Sequence, residues 1–274
     1  MGLYVNTNVA SLTAQRNLNK TSQKLGNVYQ RLSSGLRINS AKDDAAGLSI
    51  ATRMGAQVRG LNMAARNAND GISLAQVAEG ALEETTNALQ RMRELAVQAA
   101  NGTMTTSDRD DLHSEFAQLV SEIDRIAHTT SFNGKVLMST AGYSAKIQVG
   151  AYSGQMISFV IKAATANALA ISALTISGTG PSRAASAIST LDLAINSITD
   201  IRATLGAMQN RFEAVISNLN NQAENTTAAK SRIMDADIAF ETAQLTAQSI
   251  LQQAGTAILA QANQQPALAL SLLG

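Results

Sequence analysis

The stretch SLAQVAEGALEETTNALQRMRELAVQAA, residues 73–100, repeats its apolar positions every seven residues along two parallel stripes. Ala75, Leu82, Leu89 and Ala96 form one, and Ala78, Thr85, Met92 and Ala99 form the other. Stripes stepping alternately by three and four residues belong to a long helix packed along a narrow seam. The same spacing recurs elsewhere. Leu112, Phe116, Leu119, Ile123 and Ile126 carry it in one segment. In another, Ile188, Leu191, Ile195, Ile198, Arg202, Leu205, Gln209, Phe212, Ile216 and Leu219 do so. Near the carboxy terminus, Ile233, Phe240, Ala247 and Ala254 run beside Ala236, Ala243, Ile250 and Ala257. Leu18, Leu25 and Leu32 give a weaker amino-terminal version.

The composition agrees with slim helices packed side by side. Of 274 residues, 48 are alanine and only 3% are aromatic, with no Trp. Alanine is the best helix former and a poor filler of thick cores. A net charge of +1 offers no basic surplus for nucleic acid. Without cysteine there are no disulfides, thiolate metal sites or cysteine nucleophiles. No run of about 18 apolar residues suggests a membrane span, and the start MGLYVNTNVASLTAQRNLN lacks a secretory signal pattern.

Breakers separate the seams. Asn101-Gly102 ends a helix, and Ser107 with Asp110 suits the start of the next. Phe132-Asn133-Gly134 marks a turn. Ile147 and Val149, then Ile157, Phe159 and Ile161, alternate with polar neighbours around Gly150–Gly154, which predicts a β-hairpin. Small and polar residues follow to Gly180-Pro181, after which the longest helix is expected. In SSGLRINSAKDDAAGLSI, residues 33–50, Gly35 reads as a left-handed helix stop, and Leu36 to Asn39 as extended chain. Ser40 then reads as the cap of a helix carrying Asp43 and Asp44 in its first turn. The glycines and carboxylates here are punctuation, not a phosphate or metal site.

A catalytic reading finds no support. His113 and His128 sit apart beside seams, and Asp108-Arg109-Asp110-Asp111 and Asp235-Ala236-Asp237 fall at helix starts. Phosphate-loop, zinc-protease and nucleophile-elbow patterns are absent. No enzyme activity, cofactor or metal is expected. Residues 244–265 contain no charge, so a helix there suits burial in an assembly better than solitary exposure. The run QRMRELAVQ, residues 90–98, flanks a seam with Arg91, Arg93 and Glu94; it is either a solvated face or a contact between subunits.

Several long segments in order resemble bacterial flagellin: INSAKDDAAGLSIATRM, LQRMRELAVQAANGT, EIDRIAHTTSFNGKVL, LGAMQNRFEAVISNL, ENTTAAKSRIMDADIAFE and ILQQAGTAILAQANQQPALALSLL. The resemblance covers about residues 1–140 and 185–274. It implies a mainly α fold: a long-helix bundle with a terminal coiled coil and a small β-hairpin region. Residues 1–43 and 232–274 would form the coiled-coil filament core, with seam residues Leu18, Leu25, Leu32, Ile233, Phe240, Ala247, Ile250 and Ala254. Residues 44–231 would form the helical bundle, with the hairpin region at about 131–180, and the outer variable domains essentially missing.

The implied role is a self-assembling subunit of the extracellular flagellar filament, exported without a cleaved signal peptide; the alternative is a hook–filament junction protein. Implied partners are further copies of the chain, a flagellar secretion chaperone and export apparatus, and filament cap and hook-junction proteins. No nucleic acid or membrane is implied. In many members a Toll-like innate immune receptor also reads the helix bearing QRMRELAVQ. The resemblance places polymerisation or receptor recognition on Gln90, Arg91, Arg93, Glu94, Leu95, Gln98 and Glu115. The Ser and Thr residues around 140–182 are candidate glycosylation positions at the filament surface.

Overall fold

The computed structural model describes residues 7–271, with side chains to residue 264; residues 1–6 and 272–274 of the expected terminal coiled coil lie outside the described residues. Five helices and two small antiparallel strand pairs are described. They are α1 (Val9–Ser34), α2 (Ala45–Ala99), α3 (Thr106–Thr129), β1 (Ser131–Phe132), β2 (Lys135–Val136), β3 (Tyr143–Gln148), β4 (Met156–Ile161), α4 (Ser182–Met234) and α5 (Ile238–Ser271). The fold is mainly α, as the heptads imply. The longest helix is α2, with 55 residues against 53 in α4. The chain divides into two compact units, residues 1–57 with 225–274, and residues 58–224.

In the first unit α1 and α5 pair antiparallel. Asn8 Nδ2 donates to the Ala262 carbonyl (2.6 Å), Leu18 abuts Gly255, and Arg31 meets Glu241. Asn8 caps α1 by accepting from Ser11 N–H, and Gly35 stops it at φ 70°, where a side chain would be strained. The chain then extends. Leu36 bridges Asp235, Arg37 N–H donates to the Met234 carbonyl (2.6 Å), and Ala236 N–H donates to the Gly35 carbonyl (2.9 Å).

The start of α2 differs from the sequence reading. Ser40 is not its cap. The Asp43 carboxylate accepts from the Ser40 hydroxyl (3.0 Å), Ser40 N–H (2.9 Å) and Asn39 N–H (3.2 Å), closing a turn before the helix. Those bonds, the Ser40 hydroxyl first, hold Asp43 below the usual carboxylate range. Asp44 supplies the cap, accepting from Gly47 N–H at 2.8 Å. The cap of α3 also shifts, from Ser107 to Thr105. Thr105 Oγ1 accepts from Asp108 N–H, and the Asp108 carboxylate accepts from Thr105 N–H at 2.8 Å, a reciprocal capping box. Likewise Ser231 lies inside α4, and α5 is capped by Asp237, whose Oδ1 accepts from Ala239 and Phe240 N–H.

The second unit holds the main core. Both stripes of residues 75–99 are buried, with Thr85 satisfied by the Ala81 carbonyl at 3.0 Å. In α4 the 191–198–205–212–219 stripe is buried as read. Its companion lies one residue earlier than expected: Ala187, Ala194 and Ile201 are buried, while Ile188, Ile195 and Arg202 are half-buried flanks. The β3–β4 hairpin buries Ile157, Phe159 and Ile161 and exposes Met156, Ser158 and Val160. It seats on α2 where side chains are smallest. A Cβ at Gly60 would stand 3.0 Å from that of Ala151, and one at Gly71 2.7 Å from Ile147 Cδ1. Asn67 Nδ2 donates to the Gln148 carbonyl (3.0 Å), and Phe159 stacks near Phe212.

The segment read as small and polar is not a surface loop throughout. Ala164, Thr165, Ala166, Leu169, Ile171 and Ile176 are buried in irregular conformation. Thr165 accepts from Ala168 N–H and is closed to modification, whereas Ser172, Thr175 and Thr179 are exposed.

Candidate assembly surfaces

Two surfaces follow from these elements. The first is the charged flank of α2. Arg91 Nε lies 2.9 Å from Glu115 Oε1 of α3, and its Nη1 lies 3.0 Å from Glu94 Oε2. The hydrogen bond to Glu115, then that to Glu94, raises the already high Arg91 pKa, so its charge is permanent. Arg93 Nε lies 2.7 Å from Asp192 Oδ1 of α4. Gln90 and Gln98 are exposed beside them. These charges are spent partly inside the chain, tying α2 to both neighbours. Leu95 departs from the expected surface: it is 1% exposed in the core and offers no area to a partner.

The second surface is α5. Of its expected seam, Phe240 is 58% and Ile250 60% exposed, and Ala247 and Ala254 are exposed too. That face points away from α1, so it is not the intramolecular seam. The face turned to α1 carries Glu241, Gln244, Gln248, Gln252, Gly255, Leu259 and Ala262, all buried or half-buried at steps of three or four residues. On α1 the half-buried positions Leu18, Leu25 and Leu32 continue through Ser11, Ala14, Thr21 and buried Val28; Ile233 is half-buried at the end of α4. One signal marks the pairing face in retrospect. Glu241 is the only charge in α5, and Arg31 the only basic residue in the last turn of α1.

Two groups matter that the sequence reading passed over. Arg109 is 3% exposed and donates to the carbonyls of Ala99 (2.9 Å), Asn101 (3.1 Å) and Gly178 (3.4 Å). It satisfies the orphan carbonyls at the end of α2, where a cation also suits the helix dipole. Glu241 is the other. Among the described residues no cluster of metal-ligating side chains occurs, and no helix is long and apolar enough to cross a membrane.

The model of the bacterial flagellin N-terminal helical region matches residues 5–142, and that of the C-terminal helical region matches residues 188–273. The chain belongs to the bacterial flagellin family. A flagellin of Halalkalibacterium halodurans is 46% identical over 271 residues, covering 99% of this chain and 100% of the relative. Flagellin B of Vibrio cholerae is 37% identical across 376 aligned positions with both chains fully covered, so it carries residues that this shorter chain lacks. The crystal structure of Bacillus cereus flagellin is 37% identical, with TM-score 0.50, covering 60% of this chain and 94% of that one. This flagellin is a structural subunit of the flagellar filament and not an enzyme; the junction-protein alternative is not favoured.

Proposed function

We propose that the exposed face of α5 is the surface that joins copies in the filament core. One observation carries this reading. Phe240, Ala243, Ala247, Ile250, Ala254 and Ala257 are all exposed, uncharged and spaced by three and four residues, on a helix whose opposite face is already paired. A continuous apolar stripe of that kind is costly in water and marks an interaction surface. Burying it at about 25 cal/mol per Å² gives copies a reason to associate. Phe240→Asp with Ile250→Asp tests it, because both side chains are exposed and folding should be spared. Monomers of this variant should fail to elongate filament seeds; elongation at the normal rate would refute the reading.

In this reading the terminal unit belongs to the filament core. The same stripe is the segment a secretion chaperone would cover before export of the unfolded chain without a cleaved signal peptide. Cap and hook-junction proteins would meet the filament at its ends, outside the cell. The charged flank of α2 is the region offered to a Toll-like receptor, through Arg91 and Glu115 and without Leu95. A reporter-cell assay comparing the monomer with Arg91→Ala tests that; equal signals would remove Arg91 from the contact.

A further inference from the structure

A second surface lies in the unit formed by residues 58–224. An open groove of about 580 Å³ runs between the β3–β4 connection and α4, lined by Val149, Gly154 and Met156 on one wall and Arg211, Val215 and Asn218 on the other. Arg211 is its only charged lining residue, is exposed, and has no hydrogen bond or ion pair among the described residues. No carboxylate lines the groove.

At the opposite end of the same unit, α3 carries Asp108 in its first turn and Asp110 and Asp111 in its second. Asp108 is committed to the capping box, whereas the carboxylates of Asp110 and Asp111 are exposed and unbonded among the described residues. The hairpin connection touches α2 at Gly60, and the acidic turn follows the end of α2 at Ala99. At 1.5 Å per residue the two surfaces are separated by roughly 60 Å along that helix.

We propose that the Arg211 groove receives Asp110 and Asp111, on the second turn of α3, from a second copy of the chain, so that copies stack head to tail along the helices of this unit. The proposal rests on the filament reading and names one contact within it. Two different patches at opposite ends form a heterologous contact, which propagates along a line and does not close into a pair. The complementary charge sets register and accelerates encounter more than it adds affinity. A groove of mixed apolar and amide side chains, with one cation and no anion, suits a helix segment that presents two free carboxylates. Each interior copy uses both patches once.

The test follows elongation of filament seeds by light scattering at low and high salt. Arg211→Glu alone, and Asp110→Lys with Asp111→Lys, should each elongate about tenfold more slowly at low salt, with the deficit shrinking as salt screens it. Asp110→Asn with Asp111→Asn should be slower and less salt-dependent than the unaltered chain. The triple variant, with both patches reversed, should recover most of the rate. Normal rates in the single-patch variants would overturn the contact, as would a triple variant no faster than they are while melting like the unaltered chain. Failure of the unaltered chain to elongate seeds would overturn the filament reading, and this contact with it.

Discussion

Arg31 of α1 reaches Glu241 of α5 across the terminal pair, Nη1 to Oε1 at 3.1 Å, and the Glu241 side chain is only 5% exposed. The rest of that interface is small or uncharged, and leucines repeating every seven residues would tolerate a slip by one heptad. A lone ion pair at one seam position penalises that slip, because a displaced register leaves a buried carboxylate unpaired. Glu241→Ala should destabilise the α1–α5 pair by about 1–3 kcal/mol, less than for a fully buried pair because Arg31 is half-exposed and can rehydrate. Hydrogen exchange of the α1 and α5 amides in the monomer checks this: faster exchange there, with unchanged protection in the second unit, is expected. Glu241→Gln should lose less than Glu241→Ala.

Two glycines of α2 should respond to alanine in opposite ways. Nothing lies within 4 Å of a Cβ built at Gly80, so Gly80→Ala gains helix propensity and should stabilise the monomer by about 0.5–1 kcal/mol. At Gly71 the added carbon would meet Ile147 Cδ1 at 2.7 Å and the Phe212 ring at 3.1 Å. Overpacking there costs roughly 1–3 kcal/mol and outweighs the propensity gain. Denaturant midpoints of the two variants should move in opposite directions from the unaltered protein.

How much of this was legible depended on whether period and burial agree. In α2 every position of both stripes is apolar or self-satisfied, so the heptad points at the core without ambiguity. In α4 the large half-buried flanks Ile188, Ile195 and Ile216 drew the second stripe one residue too far, because the true companions Ala187 and Ala194 are smaller. In α5 apolarity marked the stripe at Phe240 and Ile250 but not which molecule would cover it; the face that meets α1 is built mostly of glutamines, a glycine and one glutamate, joined by the apolar Leu259 and Ala262. Within residues 163–181 the buried positions Ala164, Thr165, Ala166, Leu169, Ile171 and Ile176 follow no helical or strand period, through turns that place Ala170 at φ 58°, so pattern reading had nothing to follow. Arg109 looked like one charge in an acidic helix start, and only the fold brings the three carbonyls to it.

The capping box of α3 carries a pH dependence. The Thr105 hydroxyl and backbone bonds hold the Asp108 carboxylate below its usual value of 3.8. A group depressed in the folded state stabilises the fold above its unfolded pKa, and that contribution disappears as pH falls through the folded value. Asp108→Asn should therefore lower the melting temperature at about neutral pH, and the gap from the unaltered protein should close below pH 3.8. A gap that stays constant across that range would assign the effect to lost packing and not to charge.

Arg109 should be the least replaceable charged residue of the second unit. It is nearly enclosed and makes three carbonyl contacts from one planar fork, which ties the end of α2, the following turn and the loop at Gly178 to the start of α3. Arg109→Met fills the volume but leaves those carbonyls without their donor, at a cost of about 2–4 kcal/mol. Arg109→Lys keeps the charge but has a single ammonium, which cannot reach all three, and should recover only part of the loss. Chemical denaturation of the monomer gives the ordering unaltered, then Lys, then Met. If Met proved as stable as the unaltered chain, solvent rather than Arg109 would be satisfying the end of α2.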